Sequence, residues 1–277
     1  MLTERVFDTG QVTVNFVEGP PSGPPLVLIH GGGDRWQHFT PILPYLVLRW
    51  HVFALDLRGH GKSGRVPGQY RPEHYVADVT AWLDHHVSGQ AILFGHSLGG
   101  WIALLVAAQQ AGKVRALILG DPPLNLERFV AVEGSEERVG MWRGMRDLAR
   151  AGLSVPELAA ALPRPPGMDA ARLQSWAKTL SQVDPDLALY HAEGRVDEYV
   201  QNVDLDAALQ RVTCPVLLLQ ADPACGGMVL DGERDHALSL LSHGLYVQLP
   251  GATHNLGLST WEVRPLIRAV VSFLESL

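Results

Sequence analysis

The chain has 277 residues, of which 47% are apolar and 18% charged, with a formal net charge of −7. That composition supports one large core with room for an inserted subdomain, and carries too little charge for a disordered chain. There is no basic tract for nucleic acid or an anionic membrane, no apolar run near the length of a membrane span, and no basic-then-apolar leader, so a cytoplasmic protein is expected.

Residues 11–18 alternate like an edge strand, ahead of a Pro/Gly stretch at 19–25. Leu26-Val27-Leu28-Ile29 is a short continuous apolar run, the pattern of a strand buried on both faces. It ends at His30-Gly31-Gly32-Gly33, with Trp36 just beyond. A second run at 52–55 leads into Gly59-His60-Gly61-Lys62-Ser63-Gly64, which fits the spacing of a dinucleotide loop. No helix opens on it, because Pro67, Gly68 and Pro72 keep the chain irregular, so no helix N-terminus is present to hold a pyrophosphate. Its Gly61-Lys62-Ser63 also fails as a P-loop, since the required first glycine falls on Asp56.

Pro72-Glu73 opens a helix to about Val87, with Tyr75, Val79, Trp82 and Leu83 on one face. Apolar runs at 91–94 and 116–119 flank a helix at 98–111. From Pro122 to about Leu209 there are helical stretches but no buried strand, and Pro156, Pro163, Pro165, Pro166 and Pro185 interrupt them. This predicts a core formed by residues 1–121 and 210–277 and a helical cap over 122–209. Strands at 216–219 and 246–249, with helices near 233–242 and 261–276, complete the pattern. Strands alternating with helices imply an α/β fold with a mostly parallel sheet and helices on both faces. Cys214 and Cys225 form no Cys-x-x-Cys and no His-Glu-x-x-His occurs, so two free thiols and no metal or cofactor are expected.

The chemistry concentrates at Gly95-His96-Ser97-Leu98-Gly99. It fits Gly-x-Ser-x-Gly between a strand and a helix, the context of a nucleophile elbow. A serine hydroxyl is a weak nucleophile that needs a base, an acid to orient that base, and donors for the oxyanion. All candidates follow predicted strands, at the edge where parallel sheets place their sites. The expected oxyanion donors are the Leu98 and Gly32 N–H groups, with Gly33 next. The expected base is His254, in the loop after the last strand, in the order serine, acid, histidine. His243 precedes that strand and belongs at its opposite end. His96 points away from the reaction but borders the pocket, and His85 and His86 sit on a helix face. The acid is Asp121, 24 residues past the serine, or Asp222, after the strand at 216–219.

Together His30-Gly31-Gly32, Asp56-Leu57-Arg58-Gly59-His60-Gly61-Lys62-Ser63, Gly95-His96-Ser97-Leu98-Gly99-Gly100 and the late His254 resemble the α/β-hydrolase superfamily, in its capped esterase, enol-lactonase and carbon–carbon hydrolase branch. The resemblance covers the chain outside the cap. It implies an eight-stranded sheet, two-step acyl transfer to water without a cofactor, and a structural rather than catalytic role for Arg58 and His60. Epoxide hydrolases and dehalogenases of this superfamily carry aspartate at the elbow, so the serine argues against both. The family's usual acid position falls on Ala224, two residues past Asp222, which favours Asp121 slightly. The family's glycine before the late histidine is Thr253 here.

The expected partner is a small-molecule ester or lactone, with homodimerisation left open. Trp36 and Trp142, with Trp176, Met141, Met145, Leu162 and Tyr190, are candidates for the pocket wall, and Arg143, Arg146 and Arg172 for holding a substrate carboxylate. The alternatives are a ligand-binding or signalling protein with incidental hydrolysis, a perhydrolase, and a carbon–carbon bond hydrolase.

Overall fold

The computed structural model describes residues 2–164 and 168–277, so Pro165 and Pro166 lie outside the described residues. Its eight strands are β1 (Thr3–Asp8), β2 (Thr13–Glu18), β3 (Pro25–Ile29), β4 (His51–Leu55), β5 (Ala91–His96), β6 (Val114–Gly120), β7 (Val216–Ala221) and β8 (Gly244–Leu249). They form one sheet in the order β1-β2-β4-β3-β5-β6-β7-β8 among the described residues. The β1–β2 and β2–β4 pairs are antiparallel, and every pair from β4 to β8 is parallel.

Alternation within the apolar runs builds two cores. Val27 and Ile29 of β3, Leu117 and Leu119 of β6 face one layer. Leu26, Leu28, Ala116 and Ile118 face the other. A strand's side chains change face at every residue, so a continuous apolar run is what a doubly covered strand requires. The first layer is closed by helices α2 (Pro72–His86) and α3 (Leu98–Gln109), through Trp82, Trp101 and Leu104. The second is closed by the short α1 (Leu43–Leu46) and by α12 (Arg264–Glu275), through Leu46, Leu266 and Phe273. Each such side chain contributes about 1.5–3 kcal/mol on burial.

β1 was not expected from the sequence. Among the described residues it pairs only with β2, and its side chains are almost all exposed. An edge strand carrying Glu4, Arg5 and Asp8 has no apolar signature to read.

Between β6 and β7 the described residues hold helices and no strand: α4 (Leu126–Glu133), α5 (Glu136–Arg150), α6 (Val155–Ala161), α7 (Ala170–Leu180), α8 (Leu189–Ala192), α9 (Val196–Val200) and α10 (Leu205–Arg211). α6 and α7 share a small core of their own around Leu158, Leu162, Leu173 and Leu180. Tyr190, Tyr199, Leu205 and Leu209 instead join the main core, with α10 packed on α3. After β7 comes α11 (Asp231–Leu240). No helix among the described residues is long and apolar enough to cross a membrane, and Cys214 and Cys225 are free.

The parallel strands deliver their C-terminal ends to one edge. Residues 30–33, Asp56, Ser97, Asp121, Asp222 and the 250–254 loop all follow strand ends there. His243 lies at the other edge, where its carbonyl accepts from the Val216 N–H at the start of β7.

Candidate active site

β5 ends at His96 and α3 begins at Leu98, leaving one residue to reverse the chain. That residue, Ser97, holds φ 53° and ψ −120°, a strained conformation for a residue with a side chain. The turn is possible because its neighbours are bare. A Cβ on Gly95 would run into the Gly99 carbonyl, and one on Gly99 into the Ile29 and His30 carbonyls. The strain presents the Ser97 hydroxyl to a cavity, while its N–H is held by the Gly120 carbonyl at 2.9 Å.

His254 reaches this hydroxyl from the loop after β8. Its Nε2 lies 3.0 Å from Ser97 Oγ, and its Nδ1 lies 2.7 Å from Asp121 Oδ2. With Nδ1–H donating to the carboxylate, Nε2 keeps its lone pair and accepts from the serine O–H. The carboxylate of Asp121, fully buried, also accepts from the backbone N–H groups of Ala221, Met228 and Val229 at 3.1, 2.8 and 3.2 Å. These amides hold the buried carboxylate in place. Asp121 itself has φ 49°, which swings its side chain off the end of β6 toward the histidine.

Asp222 is not the carboxylate at His254. Its two oxygens accept from the Ala224 and Gly251 N–H groups at 2.9 and 2.8 Å, so it caps its own turn and braces the loop that carries His254.

The two expected oxyanion donors line the cavity beside Ser97. Leu98 is the first residue of α3, so its N–H has no partner within the helix. Gly32 packs near it: a Cβ there would lie 3.7 Å from Leu98 Cδ2. Gly33 differs from expectation. Its N–H donates to His60 Nε2 at 2.9 Å and is not available to an oxyanion.

The turn around Arg58 and His60 supports the site from below. Arg58 is fully buried and forked onto Asp78 at 2.6 and 2.7 Å. His60 donates through Nδ1–H to the Arg58 carbonyl, and burial lowers its pKa to about 3, so it stays neutral and accepts from Gly33. His30, lowered to about 4 by burial, accepts from the Leu57 N–H at 3.0 Å. The oxyanion loop and this turn are thus stitched together by neutral imidazoles.

Four expected pocket residues, His96, Trp36, Leu162 and Tyr190, lie elsewhere. His96 is buried beneath the elbow, stacked on His38 with ring centroids 4.7 Å apart, and its Nε2–H donates to the His254 carbonyl at 2.8 Å. It steadies the base and does not border the cavity. Trp36 is drawn outward, its Nε1–H pointing to Glu4 at 3.3 Å. Leu162 packs in the α6–α7 core and Tyr190 accepts from Arg71 at 2.9 Å, so neither forms the wall.

The cavity measures about 330 Å³, and Ser97, Leu98, Gly32 and His254 line its floor. Trp142, Met141, Met145, Trp176 and Leu180 line its roof. Glu133 and Arg138, which line it as a pair 2.7 Å apart, and His191, whose pKa burial lowers to about 4, were not expected from the sequence. Their signal was the five-residue spacing of opposite charges across the α4–α5 junction. Of the expected arginines, Arg146 lines the cavity, Arg143 donates to the Ala192 carbonyl at 2.7 Å, and Arg172 stands off it. Among the described residues no group of three or more His, Cys, Asp or Glu is placed to hold a metal ion.

The model of the alpha/beta hydrolase fold family matches residues 24–256. Among curated proteins, the chain is 28% identical to a 2-(acetamidomethylene)succinate hydrolase of Mesorhizobium japonicum, over 98% of this chain and 95% of that one. It is 28% identical to a non-heme haloperoxidase of Rhodococcus erythropolis, over 92% and 93%. Among solved structures, that of an E-2-(acetamidomethylene)succinate hydrolase superposes with a TM-score of 0.76 at 24% identity, covering 99% of this chain and all of that one, which is a likeness of fold.

Proposed function

The chain belongs to the alpha/beta hydrolase fold family, and from that premise we propose that it is a serine hydrolase of carboxylic esters or lactones. One observation carries the reading: His254 Nε2 lies 3.0 Å from Ser97 Oγ while its Nδ1 lies 2.7 Å from Asp121. Ser97 Oγ attacks the carbonyl carbon as its proton passes to His254 Nε2. The Leu98 and Gly32 N–H groups receive the carbonyl oxygen as it gains charge. The imidazolium, stabilised by Asp121, returns the proton to the leaving oxygen, and the C–O bond to the alcohol breaks. Water then repeats the sequence on the acyl-enzyme and frees the acid and Ser97. In a lactone the leaving oxygen stays tethered to the acyl chain.

The test is covalent labelling. A fluorophosphonate small enough for the cavity is expected to modify Ser97, with Ser97→Ala unlabelled and at least about 10³-fold slower on p-nitrophenyl acetate. Absence of labelling in the native protein would overturn the reading. The similarity to the haloperoxidase favours a second reading, perhydrolysis at the same elbow, in which peroxide replaces water on the acyl-enzyme. Its signature is acyl transfer to peroxide faster than to water at equal activity of the Ser97 acyl-enzyme.

A further inference from the structure

The roof helix α5 turns one face to the cavity: Arg138, Met141, Trp142, Met145, Arg146 and Ala149, at alternating steps of three and one. Such spacing is a single helical stripe, and in a roof over an apolar cavity it should be apolar throughout. Two arginines break it. Arg138 is answered by Glu133, whose other oxygen accepts from Trp142 Nε1 at 2.7 Å. Asp184, also on the wall, is answered by the Tyr70 hydroxyl at 2.5 Å and the Asp186 N–H at 3.0 Å. His60 and His254 have their own partners, described above.

Arg146 is different. Its Nε is buried without a hydrogen-bond partner among the described residues. The ion pair it makes is with the adjacent Asp147, 3.9 Å away and 72% exposed, too far for a hydrogen bond. An Nε–H taken from water into a mostly apolar cavity loses hydration that no hydrogen bond among the described residues returns. Removing it would improve the fold's own economy, so its partner is to be sought in what the cavity receives.

Resting on the serine-hydrolase reading, we propose that the substrate is an anionic ester or lactone carrying one free carboxylate, which Arg146 takes in the roof while Ser97 attacks the acyl group at the floor. A cation whose Nε lacks a hydrogen bond among the described residues and whose ion pair is with the exposed Asp147 at 3.9 Å can take one negative charge from a ligand. A phosphate dianion would leave excess charge among Trp142, Met145 and Trp176. The planar guanidinium fork matches a carboxylate edge to edge and fixes the orientation of a small acid in about 330 Å³. Arg146 is then a specificity-determining residue.

The experiment compares mono-p-nitrophenyl glutarate, a free acid, with its near-isosteric methyl ester. The native protein should favour the acid in kcat/KM by roughly tenfold or more, the scale of a charge-assisted pair. In Arg146→Gln that preference should fall toward one, and Arg146→Lys should keep part of it. Arg150→Gln, exposed on the same helix and paired with Asp186, should leave it intact. A preference unchanged by Arg146→Gln, or a native preference for the methyl ester, overturns the proposal. A structural arginine would also lower the unfolding temperature when replaced. Arg146→Gln should leave it level or raise it, and a fall of several degrees counts against the proposal. Binding separates this from the hydrolase reading. Monomethyl glutarate, which carries one free carboxylate, titrated into Ser97→Ala should bind roughly tenfold more weakly once Arg146→Gln is added, whether or not either ester is ever turned over. Equal binding overturns the carboxylate site even if Ser97 proves to be the nucleophile.

Discussion

Asp121 accepts four hydrogen bonds, and only one of them comes from His254. The other three tie it to the last residue of β7 and the segment that follows, so its geometry is set before the histidine is considered. Asp121→Asn should therefore do two things. It removes the charge that favours the imidazolium and presents an NH2 to backbone donors, lowering kcat on p-nitrophenyl acetate by about 10³–10⁴-fold and stability by about 1–3 kcal/mol. Asp222→Asn should lower kcat by less than about tenfold, because that side chain braces the 250–254 loop without touching the imidazole. Kinetics and urea unfolding on the two variants measure both effects, and a larger kcat loss in Asp222→Asn would refute the assignment. The sequence could not choose between them. Both aspartates follow strand ends and both precede proline. What separates them is backbone: φ 49° at Asp121 against −71° at Asp222. Aspartate tolerates either region, so residue type gives no sign of which way the carboxylate turns.

At the scale of elements, the turns around the elbow depend on close approach and on neutral histidines. Gly99→Ala would drive a Cβ into backbone carbonyls of the β3 loop, which cannot rotate aside, and should cost about 3 kcal/mol or prevent folding, read by urea unfolding. His30 and His60 have folded pKa values near 4 and 3 through burial, below their ordinary value of 6.5. As pH falls below about 6.5 the unfolded chain takes up protons that the folded chain refuses, so stability is full above that pH and lost on the way down to about 4 for His30 and about 3 for His60. Between pH 6.5 and 5 each histidine should cost up to about 2 kcal/mol. A denaturation midpoint that stays flat from pH 7.5 to 5 would contradict this. The buried strands were legible because doubly covered strands must be apolar at every position. The oxyanion loop was legible in part: Gly32 and Gly33 read alike, and only the position of His60, 27 residues further on, removes one N–H from use.

In the whole molecule, the helical block was legible from its missing strands, but where it ends was not. α8 to α10 read like cap helices, yet Tyr190, Tyr199, Leu205 and Leu209 pack into the main core, a distinction made by partners far away in sequence. The α6–α7 pair relies on a small core of its own. Its amides should exchange with solvent well before those of β5 and α3, by at least about tenfold in native-state hydrogen exchange; equal protection would mean one cooperative unit. The central strands have a further consequence. Ser97 and Asp121 leave β5 and β6, which are paired His96 to Gly120, so the proposed nucleophile and acid are set by neighbours in mid-sheet. His254 arrives only when β8 has docked on β7. A chain emerging from the ribosome thus carries its serine for a long stretch of synthesis with no base beside it. On the proposed mechanism it is mute until that final strand closes the sheet, so an abandoned fragment cleaves nothing.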